Sequence, residues 1–420
     1  KKLQALHNNF AGAQECDHLH DGMGFLPSHI QMSRLFEASL QSIDSAISLP
    51  YWEYTIDVEH IITQKHGNFM HYKDLDVFSE AFFGKTNEDT ATIDTGVFAK
   101  INVEADPKFS TVVNAWGLIR APWNTLSAKK PVRYFGAGGE SSSQVVSTVL
   151  PSSTSMPTCA NLHDVLNSSV TLLSFSGSIA QQAHGPMHLV TGGVAGTPDF
   201  MDFVKDNLQL QLTAPSFPEA WSGVSEFFIL VSRALYRYKL LKLPDPMSCG
   251  TDMVSEADCV GTCDVKEVFA SQAFYDNVFV AMGYTDSITD EKLVQMLEYL
   301  CKGGIVYGDH GTSSAPNDPS FYSLHGTVER YLQLQRLKER FTEEPWPHRE
   351  QCVFSDNIHP FQQRCFGHYT NDELLFGEVD GQTFTNKGYY DYLSPMHSKN
   401  TYVYDNFAWP HCDAVGVSIN

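Results

Sequence analysis

His20-Asp-Gly-Met-Gly-Phe-Leu-Pro-Ser-His29 runs straight into an apolar stripe in which Met32, Leu35, Phe36, Leu40 and Ile43 recur at the spacing of one buried helical face. A turn at Leu49-Pro50 ends the pattern, and Tyr51-Trp-Glu-Tyr-Thr55 comes next. A histidine at the head of such a stripe is usually a satisfied core residue, or a metal ligand when other histidines converge on it. Two further segments supply candidates. His184-Gly-Pro-Met-His188 places two imidazoles four residues apart, on one face if helical. With 17 histidines in 420 residues such a pair arises by chance about 0.7 times, so it carries weight only in company. Asn317-Asp-Pro-Ser-Phe-Tyr-Ser-Leu-His325-Gly-Thr-Val-Glu-Arg330 is the company: Asp318-Pro319 is a sound helix start, and His325 falls two turns in, on the face of Val328 and Leu332.

Composition bounds the rest. With 42% hydrophobic, 12% aromatic and 18% charged residues, the chain has enough apolar surface to offset its ordering entropy, which excludes a disordered protein. Its 28 basic and 49 acidic residues leave a formal charge of -21, which repels phosphate backbones and anionic lipid, so neither a nucleic-acid partner nor a membrane surface is expected. The best candidate apolar run, Phe227 to Val231, is far short of the ~18 residues a spanning helix needs, and no membrane insertion is expected. A start at Lys1 without methionine is that of a chain that has lost an N-terminal piece. Nine cysteines, grouped at 249/259/263 and 352/365 with 16, 159, 301 and 412 apart, read as disulfide staples rather than metal knuckles and point to a secreted or otherwise oxidising compartment. The sequon Asn167-Ser168-Ser169 points the same way.

Helical patterns dominate: about Ala220 to Leu241, about Val265 to Met282, a helix with Leu293, Met296, Leu297 and Leu300 on one face, capped by Thr289 and stopped by Gly303-Gly304, and about Asp318 to Arg340. Ser141 to Ser155 reads as a surface loop or linker. The last 80 residues, rich in aromatics, Pro, Cys and Gly, read as short strands and loops laid over a mainly α body. The expected division is a helical histidine core over 1–342 with an insertion at about 190–310, and a C-terminal segment over 343–420 packed on it.

The histidine segments resemble the type-3 copper family of tyrosinases, catechol oxidases and molluscan hemocyanins: a histidine pair nine apart ending in Pro-x-His, an H-x-x-x-H helix, and D-P-x-F with a histidine seven residues after the aspartate, in family order. The Leu-Pro-Tyr-Trp-Glu-Tyr stretch is also similar to the sequence found after the first site in hemocyanins. The resemblance implies a hemocyanin- or tyrosinase-like four-helix bundle with inserted helices and an irregular, β-rich C-terminal segment. It implies one metal site of His184, His188 and His325 and another containing His20 and His29. The remaining ligand of that other site must come from upstream, where His7 and His18 stand. His7 is the candidate, but its distance of 13 residues from His20 is shorter than the family shows and implies a distorted or empty site.

Other departures bear on the reaction. Ile30 stands where relatives carry arginine, and Leu324 where they carry a second histidine. Gly185 and Phe175 occupy positions where hydroxylating relatives place asparagine and a carboxylate, which argues against phenol hydroxylation. Cys16 lies two residues before His18, the spacing of a family thioether, with a disulfide or a free cysteine as the alternatives. Asp21 and Asp318 suit ligand orientation or helix capping rather than general base work. A complete second site beside an irregular first one resembles the hemocyanin-like, zinc-dependent cyclopenases of fungal quinolone alkaloid biosynthesis. That likeness implies zinc, a metal-dependent lyase that converts a benzodiazepine epoxide (cyclopenin) to a quinolone (viridicatin), and a small apolar aromatic substrate in a pocket lined from the insertion or the C-terminal segment. The alternatives are a dicopper catechol oxidase using all six histidines and an oxygen-binding hemocyanin-like protein. A homo-oligomer is compatible with either.

Overall fold

The computed structural model describes residues 1–66, 69–135, 156–207, 224–244, 249, 259–281, 283, 288–347, 365–397, 400 and 402–419. The expected linker 141–155 and Cys352 lie outside them. Helix α1 (Lys2–Ala11) carries His7. Helix α2 (Phe25–Gln41) begins four residues before His29, because Pro27 falls in its first turn, where a missing N–H costs nothing. Its first half is buried, but the apolar stripe does not run its length: Ile43, expected inside, lies beyond the helix and is 86% exposed. Helix α3 (Tyr54–Gln64) comes next. Glu53, just before it, accepts from Arg330 at 2.6 Å and from Trp409 Nε1 at 2.8 Å, which anchors the Leu49-to-Thr55 stretch to distant parts of the chain.

Capping boxes open α4 (Cys159–Ser168, Thr158 with Asn161) and α5 (Leu172–Ser178, Thr171 with Ser174). A π-helical segment, Ile179–His184, then passes into α6 (Gly185–Gly192) with Pro186 in the first turn, and Gly193 at φ +66 ends it. Strand β1 (Val194–Gly196) pairs antiparallel with β2 (Ile305–Tyr307), Val194 opposite Tyr307. Between the strands lie α7 (Pro198–Asn207), α8 (Val224–Arg237), α9 (Val265–Ala270) and α10 (Asp290–Cys301). Helix α11 (Ser320–Leu337) is buried along nearly its whole length, and α12 (Asn386–Tyr392) and α13 (Pro410–Ala414) complete the chain.

The protein is mainly helical, as expected, with four corrections of detail. The pattern from Val265 to Met282 is not one helix: Ser271, at ψ 89, interrupts it, and a short turn Gln272–Phe274 leads into a π segment, Tyr275–Val280. The pattern from Ala220 gives a helix that ends at Arg237, where Lys239 turns back at φ +59. The last 80 residues were expected to hold short strands, yet among the described residues they hold isolated bridges (Glu373 with Thr385, Val379 with Gln382) and two short helices. Alternating aromatics there reflect packing against the helical body, with Tyr389, Tyr390 and Trp409 each fully buried, rather than a pleated sheet. Thr289 occupies the expected cap position of α10, but its side chain makes no capping bond.

Two apolar clusters result. One joins α2 to α6 and α11 through Leu26, Ile30, Val58, Phe175, Met187, Leu324 and Val328. The other is drawn mainly from residues 194–307, with Phe200, Phe228, Leu235, Phe274 and Leu297 at its centre. Full burial of each such side chain contributes about 1.5–3 kcal/mol. Four disulfides join Cys16 to Cys365, Cys159 to Cys412, Cys249 to Cys259 and Cys263 to Cys301. The first decides among the readings open for Cys16, which is disulfide-bonded to Cys365 and forms no thioether with His18. Among the described residues no helix is long and apolar enough to cross a membrane. The disulfides fit an oxidising compartment.

One fully buried ion pair organises the approach to α11. Asp309 accepts from Arg120 Nε at 3.0 Å and Nη2 at 3.1 Å, from Asn317 at 3.0 Å and from the Val132 N–H at 2.9 Å. Asp309→Ala leaves the Arg120 charge buried and unpaired. Such a loss costs about 3–5 kcal/mol, read as a lowered denaturant midpoint, whereas Glu88→Ala at the exposed Lys73–Glu88 pair moves it by less than about 1 kcal/mol.

Candidate metal centre

Six imidazoles expected from the sequence converge in two groups of three. His7, His20 and His29 each offer a ring nitrogen, and these lie within 4.8 Å of one another; His184, His188 and His325 do the same. The groups face each other: the His29 and His325 rings stack at 4.3 Å with planes 6° apart. Within the first group His7 Nε2 is 3.3 Å from His29 Nε2, and within the second His184 Nε2 is 2.9 Å from His188 Nε2. His7, whose spacing implied a distorted or empty site, joins its group within the same 4.8 Å, though its ring centroid stands 5.2 Å from His20 and 5.4 Å from His29. The short connection suffices because α1 packs directly against the segment before α11, and His20 comes from a tight turn rather than a helix. His18 turns away, stacking on Phe366 at 3.9 Å and bonding the Phe366 carbonyl at 2.9 Å.

Each ring is aimed by what its other nitrogen meets. His7 Nδ1 bonds the Ser313 carbonyl at 2.7 Å, His29 Nδ1 the Phe25 carbonyl at 2.8 Å, and His188 Nδ1 the His310 carbonyl at 3.0 Å. His20 Nδ1 bonds the Asp17 carboxylate at 3.0 Å. Asp17 also accepts the N–H groups of Leu19 and His20, and Arg233 and Arg237 of α8 stand 3.6 Å from it. Burial alone would raise the Asp17 pKa, but His20 and the two arginines hold it well below the ordinary carboxylate range. Such partners fix ring orientation and leave Nε2 to donate its electron pair. Helix α8 lies in the segment expected as an insertion, so that segment reaches the first group through Asp17. The Asp309–Asn317 loop likewise supplies carbonyls to one ring of each group.

Sequence reading missed Asp17, His310, Ser313 and the two arginines. Only Asp17 left a signal, three residues before His20. Asp318, read as a capping or orienting residue, accepts the Ser320 N–H at 2.9 Å and pairs with buried Arg133. Asp21 lies 3.5 Å from Arg237. Phe175, Leu324 and Ile30 are core residues.

Two phenylalanines close the cleft. Phe25 lies 4.9 Å from the His29 ring and 5.5 Å from His184; Phe321 lies 4.2 Å from His325 and 5.3 Å from His7. Of the six residues, only His20 and His188 retain partial exposure. Burial, reinforced by neighbouring histidines, drives the pKa of His7 down to about 3 and those of His29, His184, His188 and His325 well below the usual imidazole value. These rings are neutral Lewis bases. Both nitrogens of His325 and Nδ1 of His184 are buried without a hydrogen-bond partner, a costly arrangement that a bound cation offsets. Imidazoles in groups of three suit zinc or copper, with a further coordination position left open.

The first 203 residues match the family model described as the common central domain of tyrosinase. The match spans His7, His20, His29, His184 and His188 and ends before His325. It supports the type-3 copper, tyrosinase- and hemocyanin-like family and a metal-dependent enzyme on that scaffold. No curated protein matches the chain.

The depressed ring pKa values set a pH dependence. In the unfolded chain these histidines take up protons near pH 6.5; in the folded, metal-free protein they do not until far lower pH. Their contribution to stability is therefore present above about pH 6.5 and is lost as pH falls toward 3, by up to about 1.4 kcal/mol per pH unit for each ring. Chelator-stripped protein should show a clearly lower denaturation midpoint at pH 5 than at pH 7.5; equal midpoints would contradict the buried neutral rings.

Proposed function

We propose that the chain is a dinuclear metal enzyme that oxidises small aromatic o-diphenols, with one ion held by His7, His20 and His29 and the other by His184, His188 and His325. The observation that carries this reading is the completeness of the first trio. A mononuclear lyase is the better reading only of a first trio that fails to assemble, and its three rings bring their nitrogens within the same 4.8 Å as those of the second. Bound as a pair, copper ions supply the dioxygen-dependent, two-electron oxidation that turns a catechol into a quinone.

The protein's own part is positional. The neutral rings of His7, His29, His184, His188 and His325 offer an electron pair without first releasing a proton, so ion binding there is not opposed by buried positive charge. Asp17 and the carbonyls of Ser313, Phe25 and His310 hold the rings so that little orientation has to be lost on binding. Phe25 and Phe321 exclude water from the inner face, and a flat aromatic substrate enters past one of the partly exposed ligands, His20 or His188. No carboxylate contacts the second trio through a hydrogen bond among the described residues. That fits oxidation of a ready-made diphenol better than hydroxylation of a phenol, which needs its substrate deprotonated.

A second reading has one observation of its own. Three neutral imidazoles with an open position are also a zinc site, and zinc, which has no redox chemistry, would polarise a carbonyl or epoxide oxygen, as a cyclopenase-type ring contraction requires.

Elemental analysis of the purified protein, joined to oxygen uptake with 4-methylcatechol, separates the two. The proposal expects about two copper ions per chain and oxygen consumption that stops in the His29→Ala and His325→Ala variants. Zinc with oxygen-independent turnover of an epoxide would overturn it in favour of the second reading. Asp17→Asn should weaken metal binding at the first trio by about 10–100-fold while leaving the second unchanged, as measured by competition with a chromogenic chelator.

A further inference from the structure

We propose that Asp318, Ser320 and His310 form a hydrogen-bond relay that fixes the tautomer of His188 and so keeps its Nε2 available as an electron-pair donor to a metal ion. The inference rests on the reading of His188 as a ligand and identifies positioning residues for it.

The relay emerges from donor and acceptor counting, one atom at a time. His188 Nδ1 lies 3.0 Å from the His310 carbonyl oxygen, which can only accept. A bare Nδ1 would set two lone pairs against each other, so this nitrogen carries the proton. The same Nδ1 lies 3.0 Å from His310 Nδ1. Two N–H groups cannot point at one another across that distance, so His310 Nδ1 is bare and the His310 proton is on Nε2. That N–H meets Ser320 Oγ at 2.9 Å. The serine hydroxyl, used as an acceptor there, directs its own hydrogen to Asp318 Oδ1 at 2.7 Å. Asp318 ends the chain as an acceptor-only carboxylate, clamped by Arg133 through Nε at 2.5 Å and Nη2 at 2.9 Å. Every hydrogen is thus assigned in one direction, from His188 to Asp318, and the lone pair of His188 is left on Nε2, 2.9 Å from His184 Nε2.

All five side chains lie in the interior, with His310, Ser320, Asp318 and Arg133 essentially inaccessible and only His188 partly exposed. Water is a poor substitute for a lost link in such a setting. Removing the serine hydroxyl strands the His310 Nε2–H. The ring then populates its other tautomer, whose Nδ1–H competes for His188 Nδ1 and moves a fraction of His188 to the Nε2–H form, which cannot bind a metal. His7 and His29 in the other trio are likewise held by backbone carbonyls; His188 differs in that a second ring nitrogen, His310 Nδ1, also faces its Nδ1.

The test uses the full chain labelled with ¹⁵N-histidine and stripped by chelation, with ring tautomers read from long-range ¹H–¹⁵N spectra at pH 7.5 and Zn(II) titrated calorimetrically as a redox-silent probe. Wild type should show His188 protonated on Nδ1 and His310 on Nε2. Ser320→Ala should give mixed tautomers at both rings and a roughly tenfold weaker second-trio affinity with the first trio unchanged, and Ser320→Thr, which keeps the hydroxyl, should restore both. His188 protonated on Nε2 in wild type, or a Ser320→Ala variant with unchanged tautomers and affinity, would overturn the relay. Should the tautomers be as stated while Zn(II) fails to bind at His188, the metal reading falls and the relay stands; because the spectra are read without metal, the two failures are distinguishable.

Discussion

Imidazoles crowded into one largely buried cleft must each find something for two ring nitrogens to do, and that requirement shapes everything around them. A buried ring without partners costs free energy, and a protonated ring beside its neighbours costs more. The protein meets the demand on the outer side of the cluster. Carbonyls at Phe25, Ser313 and His310 and the carboxylate of Asp17 take the Nδ1 atoms of four rings, which turns their Nε2 atoms inward. The inner side is left with electron pairs facing one another, and His325 with no partner at all. Such a cluster is stable only if the scaffold is rigid enough to hold it, or if a cation occupies its centre.

The scaffold supplies rigidity by fastening segments that are far apart in the chain. The turn bearing His20 is tied to the C-terminal region through the Cys16–Cys365 bond and through His368, whose Nε2 bonds the Asp17 carbonyl at 2.7 Å. The loop before α11, which contacts both trios, is held by Asp309 against Arg120 and by Asp318 against Arg133. Both ion pairs are wholly buried, and both carboxylates are further satisfied by serine, asparagine or backbone donors. Buried pairs of this kind seldom add net stability, but their geometry is exacting, and here that geometry fixes where His310 and Ser313 present their carbonyls. Helix α8 adds a contact of the same nature from the segment between His188 and His325, through Arg233 and Arg237 to Asp17.

Much of this is legible in the sequence, for reasons that differ between residues. His29, His184, His188 and His325 sit on helices or at their junctions, and local spacing predicts which face they share. His20 is legible only by its place in a motif. His7 is visible but open to being discounted, since a connection of 13 residues says nothing about the direction in which the chain turns between them. The orienting carbonyls are out of reach, because every residue has one and tertiary packing decides which is used. His310 belongs to the same class: it has no local pattern, and it reaches His188 only because the antiparallel pairing of β1 with β2 returns the chain to the end of α6. The Cys16–Cys365 pairing, across 349 residues, cannot be deduced from spacing, and the aromatic-rich C-terminal region reads wrongly as strands because aromatic packing on helices and alternation in sheets leave similar patterns.

The claim on which the rest depends is that two groups of three imidazoles, joined by the stacked pair His29 and His325, form one bimetallic cleft. Diffraction from crystals of the native protein, recorded at the absorption edge of the metal it carries, tests this directly. The account predicts two anomalous peaks in the cleft, one bonded to the ring nitrogens of His7, His20 and His29 and the other to those of His184, His188 and His325. A single peak, or a peak whose ligands lie outside these six residues, would contradict it.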